Sequence, residues 1–191
     1  VRFGPKRPPI AATARVEDDT VVIEGVAAPG FPTDTVWPVA DDIPVRATWR
    51  TAAVVGPPTD SSARAVGLAE QAMLVAGALG RPSEVVAPSG ARAAVTLDLD
   101  GDRITRVAVE VAAGDPLDVV VLRSYAIGAV HMALGWVATE ALTVDPVSGE
   151  VHDLTIRSFG IPRAAGMPPV EVVVRDDPAP PRAGASDAVF A

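Results

Sequence analysis

The sequence predicts an α+β fold in which a mixed or antiparallel sheet packs against two long helices. Two apolar runs flank the pair Asp100-Gly101, which is the strongest short-range signal for a β-hairpin. Two longer stretches, 61–79 and 115–142, carry apolar residues at helical spacing. A β-branched run at 170–175 then predicts a further strand. The alternation of helical and extended patterns therefore indicates a mixed architecture.

The chain of 191 residues is long enough for one domain or for two small lobes that share a core. We expect residues 1–90 to form an N-terminal lobe of strands and one helix, and residues 91–191 to form an α+β lobe. A single domain is the alternative. Aromatic residues make up only 4% of the chain, so its core must consist mainly of Ala, Val, Leu and Ile.

The first half of the chain alternates between proline-rich and apolar segments. Several prolines among residues 1–19 predict an extended arm. The β-branched runs at 20–26 and 45–55 predict strands. The helix predicted over 61–79 ends where Gly80 supplies a residue suited to a left-handed cap.

The second half begins with the predicted hairpin, whose strands cover 91–98 and 103–111. Asp115 is the expected N-cap of the next helix, with Pro116 in its first turn. The spacing assigns one helix face to Ile127, Val130, Leu134, Val137 and Ala141. A second face is lined by residues small enough for a backbone or a ligand to lie against it, namely Gly128, Ala129, Ala133 and Gly135. Strands are then predicted over 142–145 and 151–159.

Charge and cysteine content exclude several classes of protein. The formal net charge of −8 repels phosphate backbones, so we expect no nucleic-acid partner. The absence of cysteine excludes disulfides, thiolate zinc sites and any iron–sulfur cluster held by this chain, and it fits a cytoplasmic protein. Because no run of about 18 apolar residues lacks a charge, we expect no membrane-spanning helix.

A specific combination of residues lies between positions 125 and 169. The second helix carries Gly128 and Gly135 and ends in Thr139-Glu140, and the loop after it contains Ile161-Pro162 and Met167-Pro168-Pro169. From about residue 95 to 187, this order resembles the last part of the molybdopterin-binding subunit of molybdenum hydroxylases, the xanthine dehydrogenase and aldehyde oxidase family. The chain is much shorter than such a subunit, and residues 1–90 carry no similar motif.

The resemblance implies the fold of a molybdenum-cofactor-binding domain and a molybdenum–molybdopterin cofactor. It also implies an oxidoreductase that hydroxylates aldehydes or heterocycles with water as the oxygen donor. Electrons would leave through iron–sulfur and flavin partners, which this chain cannot supply because it has no cysteine. By the same resemblance, the cofactor-facing positions fall on Tyr125, Gly128, Ala129, Gly184, Ser186 and Asp187.

Each of these positions has a second interpretation. Asp187 falls where the family has a glutamate base, but an aspartate in such a loop is also a common helix cap. Gly184 and Ser186 either cradle an anion or simply shape a loop. Tyr125 falls where the family has a glutamine that reaches the pterin, and it is either a cofactor contact or a packed aromatic. His131 and His152 are too isolated in sequence to predict a metal site.

Two functions remain open at this point. The first is a divergent molybdopterin-domain homologue that belongs to an oxidoreductase and is inactive as an isolated chain. The second is a non-catalytic binding or assembly module, which keeps the fold and packs its glycine-lined helix face against another protein chain. That partner would be either a second copy of this chain or another oxidoreductase subunit.

Overall fold

The computed structural model describes residues 10–29, 37–39, 43–53, 65–82, 84–141, 143–152 and 155–191. The strands within these ranges are β1 (Ile10–Glu17), β2 (Thr20–Ala27), β3 (Val45–Thr51), β4 (Val85–Val86), β5 (Arg92–Asp100), β6 (Arg103–Ala112) and β7 (Val170–Val174). The helices within them are α1 (Ala65–Leu79), α2 (Val119–Ala138), α3 (Ile156–Phe159) and α4 (Ala185–Phe190). The protein is therefore α+β, as the sequence predicts.

The first sheet has the order β1-β2-β3, with β1 antiparallel and β3 parallel to β2. Strand β1 lies within the predicted extended arm, so that prediction is wrong for residues 10–17. Residues 10–17 form a strand because the chain turns at Asp18 and Asp19, which both adopt positive φ. This turn brings Glu17 opposite Thr20. The remainder of the predicted arm, residues 1–9, lies outside the described residues.

The second sheet has the order β4-β5-β6-β7 and contains the predicted hairpin. Strands β5 and β6 are antiparallel and β7 runs parallel to β6, so both sheets are mixed. Strand β4 pairs only with Arg92 and Ala93, which leaves the outer edge of β5 from residue 94 to 100 without a strand partner among the described residues. A register shift between Asp98 and Leu99 bends β5 near its tip.

Two long helices on one sheet are not confirmed. Helix α1 has 15 residues and α2 has 20, and the strands divide between two separate sheets. Helix α1 contributes Ala72 to the apolar core of the second sheet and Val75 to that of the first. The division into lobes 1–90 and 91–191 stays a prediction. The predicted helix start at residue 61 lies outside the described residues.

Helix α2 begins three residues later than predicted. Its N-cap is Asp118 and not Asp115, because the Asp118 carboxylate accepts hydrogen bonds from the backbone N–H groups of Val120 (2.7 Å) and Val121 (3.1 Å). The apolar face assigned from the helical spacing is only partly buried, because Val130 belongs to the core whereas Ile127 and Val137 are exposed. The residues that α2 buries are Leu122, Ala126, Ala129, Val130 and Gly135.

The strands predicted over 142–145 and 151–159 are replaced by a turn and a short helix. Val144 and Val151 form an isolated bridge, and the Asp145 carboxylate accepts hydrogen bonds from the backbone N–H groups of Ser148 and Val147. These bonds lower the pKa of Asp145. Residues 156–159 are helical because Thr155 and Ser158 form a capping box. Residues 142, 153 and 154 lie outside the described part of the chain.

Helix α2 is long and apolar enough to cross a membrane by length and composition, with a mean hydropathy of 1.4 and 28% burial in its 18-residue apolar window. This observation departs from the expectation that no segment meets this criterion. Core helices of soluble proteins satisfy the same test, and α2 packs on the second sheet through Leu122, Ala126, Ala129 and Val130. The side of α2 that does not pack on the sheet is exposed.

Candidate functional site

The C-terminal end of α2 is tied to the loop that carries the Ile-Pro motif. The hydroxyl of Thr139 donates to the carbonyl of Gly160 at 2.6 Å, and the N–H of Ala141 donates to the carbonyl of Phe159 at 3.0 Å. His131 Nε2 lies 2.8 Å from the carbonyl of Pro162 and must carry the proton in that bond, since a carbonyl only accepts. The helix end and the loop therefore form one unit.

Gly135 allows the close contact between this loop and α2. A Cβ at Gly135 would lie 2.9 Å from Cδ of Pro162 and even closer to the Glu140 carboxylate. The small residues of α2 predict that a backbone or a ligand lies close against the helix. At Gly135, this contact is made by the protein's own chain. Packing alone therefore accounts for the residues at these positions, Gly135, Glu140 and Pro162, and no ligand is required.

Gly128 has the opposite environment, because no described atom beyond its chain neighbours and the nearby backbone of its own helix lies within 4 Å of the place where its Cβ would be. It belongs to a surface that we term the open face of α2. The residues of this face are exposed and uncharged, and they are Val120, Val121, Ser124, Tyr125, Gly128 and Met132. Tyr125 is 64% exposed and Met132 is 54% exposed, which is unusual for side chains of this size and polarity.

The polar features of the open face do not interrupt its apolar character. The Ser124 hydroxyl donates to the carbonyl of Val120 at 3.0 Å, so its proton is bonded within the helix. The charged residue within α2, Arg123, lines a different cavity, next to Val119 and Arg175. The open face is therefore a neutral surface with two small residues, Ser124 and Gly128, one turn apart.

A cavity of about 400 Å³ adjoins the C-terminal half of the open face. Glu140 and His131 provide its polar groups. The rings of Trp136 and Phe190 lie with their centroids 5.6 Å apart and their planes inclined by 35°. The apolar residues that line the cavity are Gly128, Met132, Trp136, Ile161 and Phe190.

A second cavity, of about 520 Å³, lies between the start of α2 and residues 174–178. Two of its charged groups, Arg175 and Asp177, already have partners. The Arg175 guanidinium contacts the carboxylate of Glu84, and Asp177 lies 3.4 Å from Arg182. The backbone N–H groups of Ala179 and Gly114, together with Arg182, lower the pKa of Asp177. These groups hold the 175–182 segment in place.

The predicted site residues lie in different environments. Ala129 is 1% exposed and belongs to the core of the second sheet. Tyr125 points to solvent, so it is not a packed aromatic. Asp187 lies in the first turn of α4, whose N-cap is Gly184, so Asp187 is not the cap. Of the six predicted positions, Gly128 alone lines either of the two cavities described above.

These placements do not fit a molybdopterin bound by this chain. Holding a pterin requires hydrogen-bond donors that converge on one cavity. The side chain of Ala129 points into the core, and the open side of Gly184 is occupied by Ser89 and Ala87, 3.2 and 3.5 Å from the place of a Cβ. We therefore derive no catalytic step through this cofactor.

The similarity to known proteins is distant and structural. No protein-family model matches the chain, and no curated protein matches it significantly. A crystal structure of the Cu,Mo-CO dehydrogenase in its carbon monoxide reduced state matches with a TM-score of 0.44 and 12% identity, over 95% of this chain and 33% of that chain. Reconstituted CO dehydrogenase from Oligotropha carboxidovorans matches with a TM-score of 0.43 and 12% identity, over 95% and 32% respectively. The chain thus spans about a third of these proteins.

Sequence patterns alone missed the cavity residues Met132, Trp136 and Phe190. The signal that was available is the composition of α2, which is apolar on nearly every side. Such a helix is normally buried on every side in a core or in a membrane. In this protein, one side packs on the second sheet and the other remains open.

Proposed function

We propose that this protein is a non-catalytic assembly module that binds another protein chain through the open face of α2. The observation that carries this proposal is the open face of the 20-residue helix α2, which is uncharged, largely apolar and uncovered by the described residues. Burial of such a surface contributes about 25 cal/mol per Å² of apolar area, which favours association. Contiguous apolar patches beyond a few hundred Å² are typical of interaction sites.

The shape of the open face supports a protein partner. Ser124 and Gly128 lie one helical turn apart and leave a shallow groove, in which the ridge of an apposed helix packs closely. Tyr125 and Met132 flank this groove, and aromatic residues and methionine are enriched at protein interfaces. The internal hydrogen bond of Ser124 means that its hydroxyl proton loses no water contact on binding.

Within this proposal, the motifs between residues 125 and 169 indicate the kind of partner that the protein binds. Their resemblance to the molybdenum hydroxylases supports a subunit of an oxidoreductase as the partner, with a second copy of this chain as the alternative partner. Because this chain has no cysteine, iron–sulfur centres for electron transfer would belong to other chains of the assembly. The lack of cysteine also fits a cytoplasmic assembly. Catalysis would then belong to the whole assembly.

Tyr125→Glu is expected to weaken association of the chain with its partner by at least tenfold, because a carboxylate would lose its water at the centre of an apolar contact. Light scattering of the purified protein measures self-association. Co-expression with the products of any neighbouring reading frames measures association with other chains. Val147→Glu is the control, since Val147 is 95% exposed in a turn and does not belong to the open face.

Circular dichroism must show that both variants remain folded. The assembly proposal fails if the unmodified protein stays monomeric at high concentration and alone in co-expression, or if the two variants associate equally well. Co-sedimentation with neutral phosphatidylcholine vesicles that Tyr125→Glu abolishes would assign the open face to a membrane instead of a protein.

The isolated chain, produced in a host supplied with molybdenum, is expected to contain neither molybdenum nor a pterin. The physical reason is the placement of Ala129 in the core and of Gly184 against Ser89. Elemental analysis and pterin fluorescence after acid release measure both components, and a known molybdenum hydroxylase from the same host serves as the positive control. A stoichiometric amount of molybdenum in the isolated chain would contradict the non-catalytic assignment.

A further inference from the structure

We propose that the cavity at the end of the open face receives a basic side chain, arginine or lysine, from the partner protein. This inference rests on the proposed function and adds the chemistry of the partner to it. Glu140, Trp136 and Phe190 line the cavity together, and they combine a carboxylate with two aromatic rings. A carboxylate beside aromatic rings is the combination that recognises an organic cation.

Glu140 supplies the negative charge in a fixed position. Its backbone N–H donates to the carbonyl of Gly135 at 2.8 Å, and its carboxylate packs against the Cα side of the same glycine. Neither lysine nor arginine lines the cavity, and no ion pair joins Glu140 to a basic group within the described ranges. A carboxylate that is held in place beside an apolar wall interacts strongly with a cation that displaces its water.

Trp136 and Phe190 supply the surface for the body of the cation. Trp136 is 37% exposed, so part of its ring remains available to a ligand. A guanidinium group stacks on an aromatic ring and also donates two parallel hydrogen bonds to a carboxylate, whereas an ammonium group interacts as a point charge. Met132 and Ile161 extend the apolar lining, along which the aliphatic stem of either side chain packs.

His131 does not take part in binding the cation. Its Nε2–H is already bonded to the carbonyl of Pro162, which fixes the ring between α2 and the loop. His131 therefore supports the wall of the cavity by holding the loop that carries Ile161. Glu140 remains the charged group that faces a ligand.

The position of the cavity connects it with the open face. Gly128 and Met132 belong to both surfaces, and Trp136 lies about 12 Å along the helix axis from Gly128, at a rise of about 1.5 Å per residue. A partner helix that crosses α2 near Gly128 would extend a basic side chain of its own into the cavity. The net charge of −8 favours a basic partner over a second copy of this acidic chain.

The first test uses N-acetyl-arginine amide as the probe and N-acetyl-citrulline amide as its neutral isostere. Two-dimensional NMR of the full chain follows the indole N–H signal of Trp136, which Trp136→Phe identifies by its disappearance. We expect the arginine probe to shift this signal at millimolar concentration and the citrulline probe to bind at least tenfold more weakly. Glu140→Gln should weaken arginine binding at least tenfold, whereas Glu150→Gln, in the exposed turn, should not.

An absent shift, an equal response to both probes, or equal binding by Glu140→Gln and Glu150→Gln would each overturn the inference. The second test measures partner association. Glu140→Gln should reduce association about fivefold or more while the variant remains folded. If Tyr125→Glu abolishes association and Glu140→Gln leaves it unchanged, the cation cavity is overturned while the assembly function stands. If the unmodified chain associates with no partner, the assembly function itself is overturned.

Discussion

Gly114→Ala is expected to lower the free energy of unfolding by about 3 kcal/mol, through a left-handed backbone and a collision with the chain. Gly114 has φ of 73°, where an L-residue with a Cβ is strained. The added Cβ would point at the carbonyl oxygen of Pro180 and lie 2.7 Å from that of Ala179. Because both obstacles are backbone atoms, no side-chain rotation relieves them.

The segment opposite Gly114 is held too firmly to move away. The N–H of Asp115 donates to the carbonyl of Ala179 at 2.7 Å, and the N–H of Arg182 donates to the carbonyl of Ala113 at 2.8 Å. The Asp177 carboxylate accepts from the N–H of Gly114 at 3.1 Å. Movement of residues 179–180 would therefore break several hydrogen bonds at once.

Gly149→Ala is the matched control for this experiment. Gly149 has φ of 75°, nearly that of Gly114, and no described atom beyond its two chain neighbours lies within 4 Å of its Cβ position. Gly149→Ala should therefore lower the free energy of unfolding only through backbone strain, by about 1 kcal/mol. Urea unfolding followed by circular dichroism measures both variants. Equal losses would show that the contact with Pro180 contributes nothing.

Ile23→Ala is expected to lower the free energy of unfolding by about 3 kcal/mol, because it leaves a cavity in a fully buried site. Ile23 is 0% exposed at the centre of the core of the first sheet. Val16→Ala is the control on the neighbouring strand, since Val16 is 44% exposed and should lose less than about 1 kcal/mol. Urea unfolding provides the comparison.

The same variant tests how the two sheets are coupled. Trp49 packs against the core of the first sheet, and Trp136 packs on Phe190 beside the second. Because α1 contributes Ala72 and Val75 to the two cores, we expect the NMR indole signals of both tryptophans to disappear at the same urea concentration. Earlier loss of the Trp49 signal would show that the two sheets unfold independently.

The sequence predicts those elements whose signal is local. The Asp100-Gly101 hairpin, the helix end at Gly80 and the strand at 170–174 depend on turn chemistry and β-branched runs, and the structure contains all three. Strand β1 was missed because its turn uses Asp18 and Asp19 in place of glycine. The start of α2 was missed because Asp115 and Asp118 are equally good caps in the sequence, and only tertiary contacts distinguish them.

The candidate site was less accessible to sequence reasoning. Helical periodicity reveals a buried face when the other face is polar, but α2 is apolar on nearly all sides, so Ile127 and Leu122 look equivalent. Which side packs on the sheet depends on contacts with β7 and α4, which lie far along the chain. The packing role of Gly135 likewise depends on Pro162, whose position relative to α2 is set by the fold.

The two-residue strand β4 leaves most of the outer edge of β5 without a neighbour among the described residues. Along that edge, Leu97 and Leu99 alternate with Asp98 and Asp100, and all four are exposed. An open strand of this kind is a template on which other polypeptides can extend a sheet. The Asp98 carboxylate is paired with Arg106 at 3.2 Å, but the Asp100 carboxylate places like charges wherever two such edges would meet, so electrostatic repulsion opposes filament growth at the site where backbone geometry would permit it.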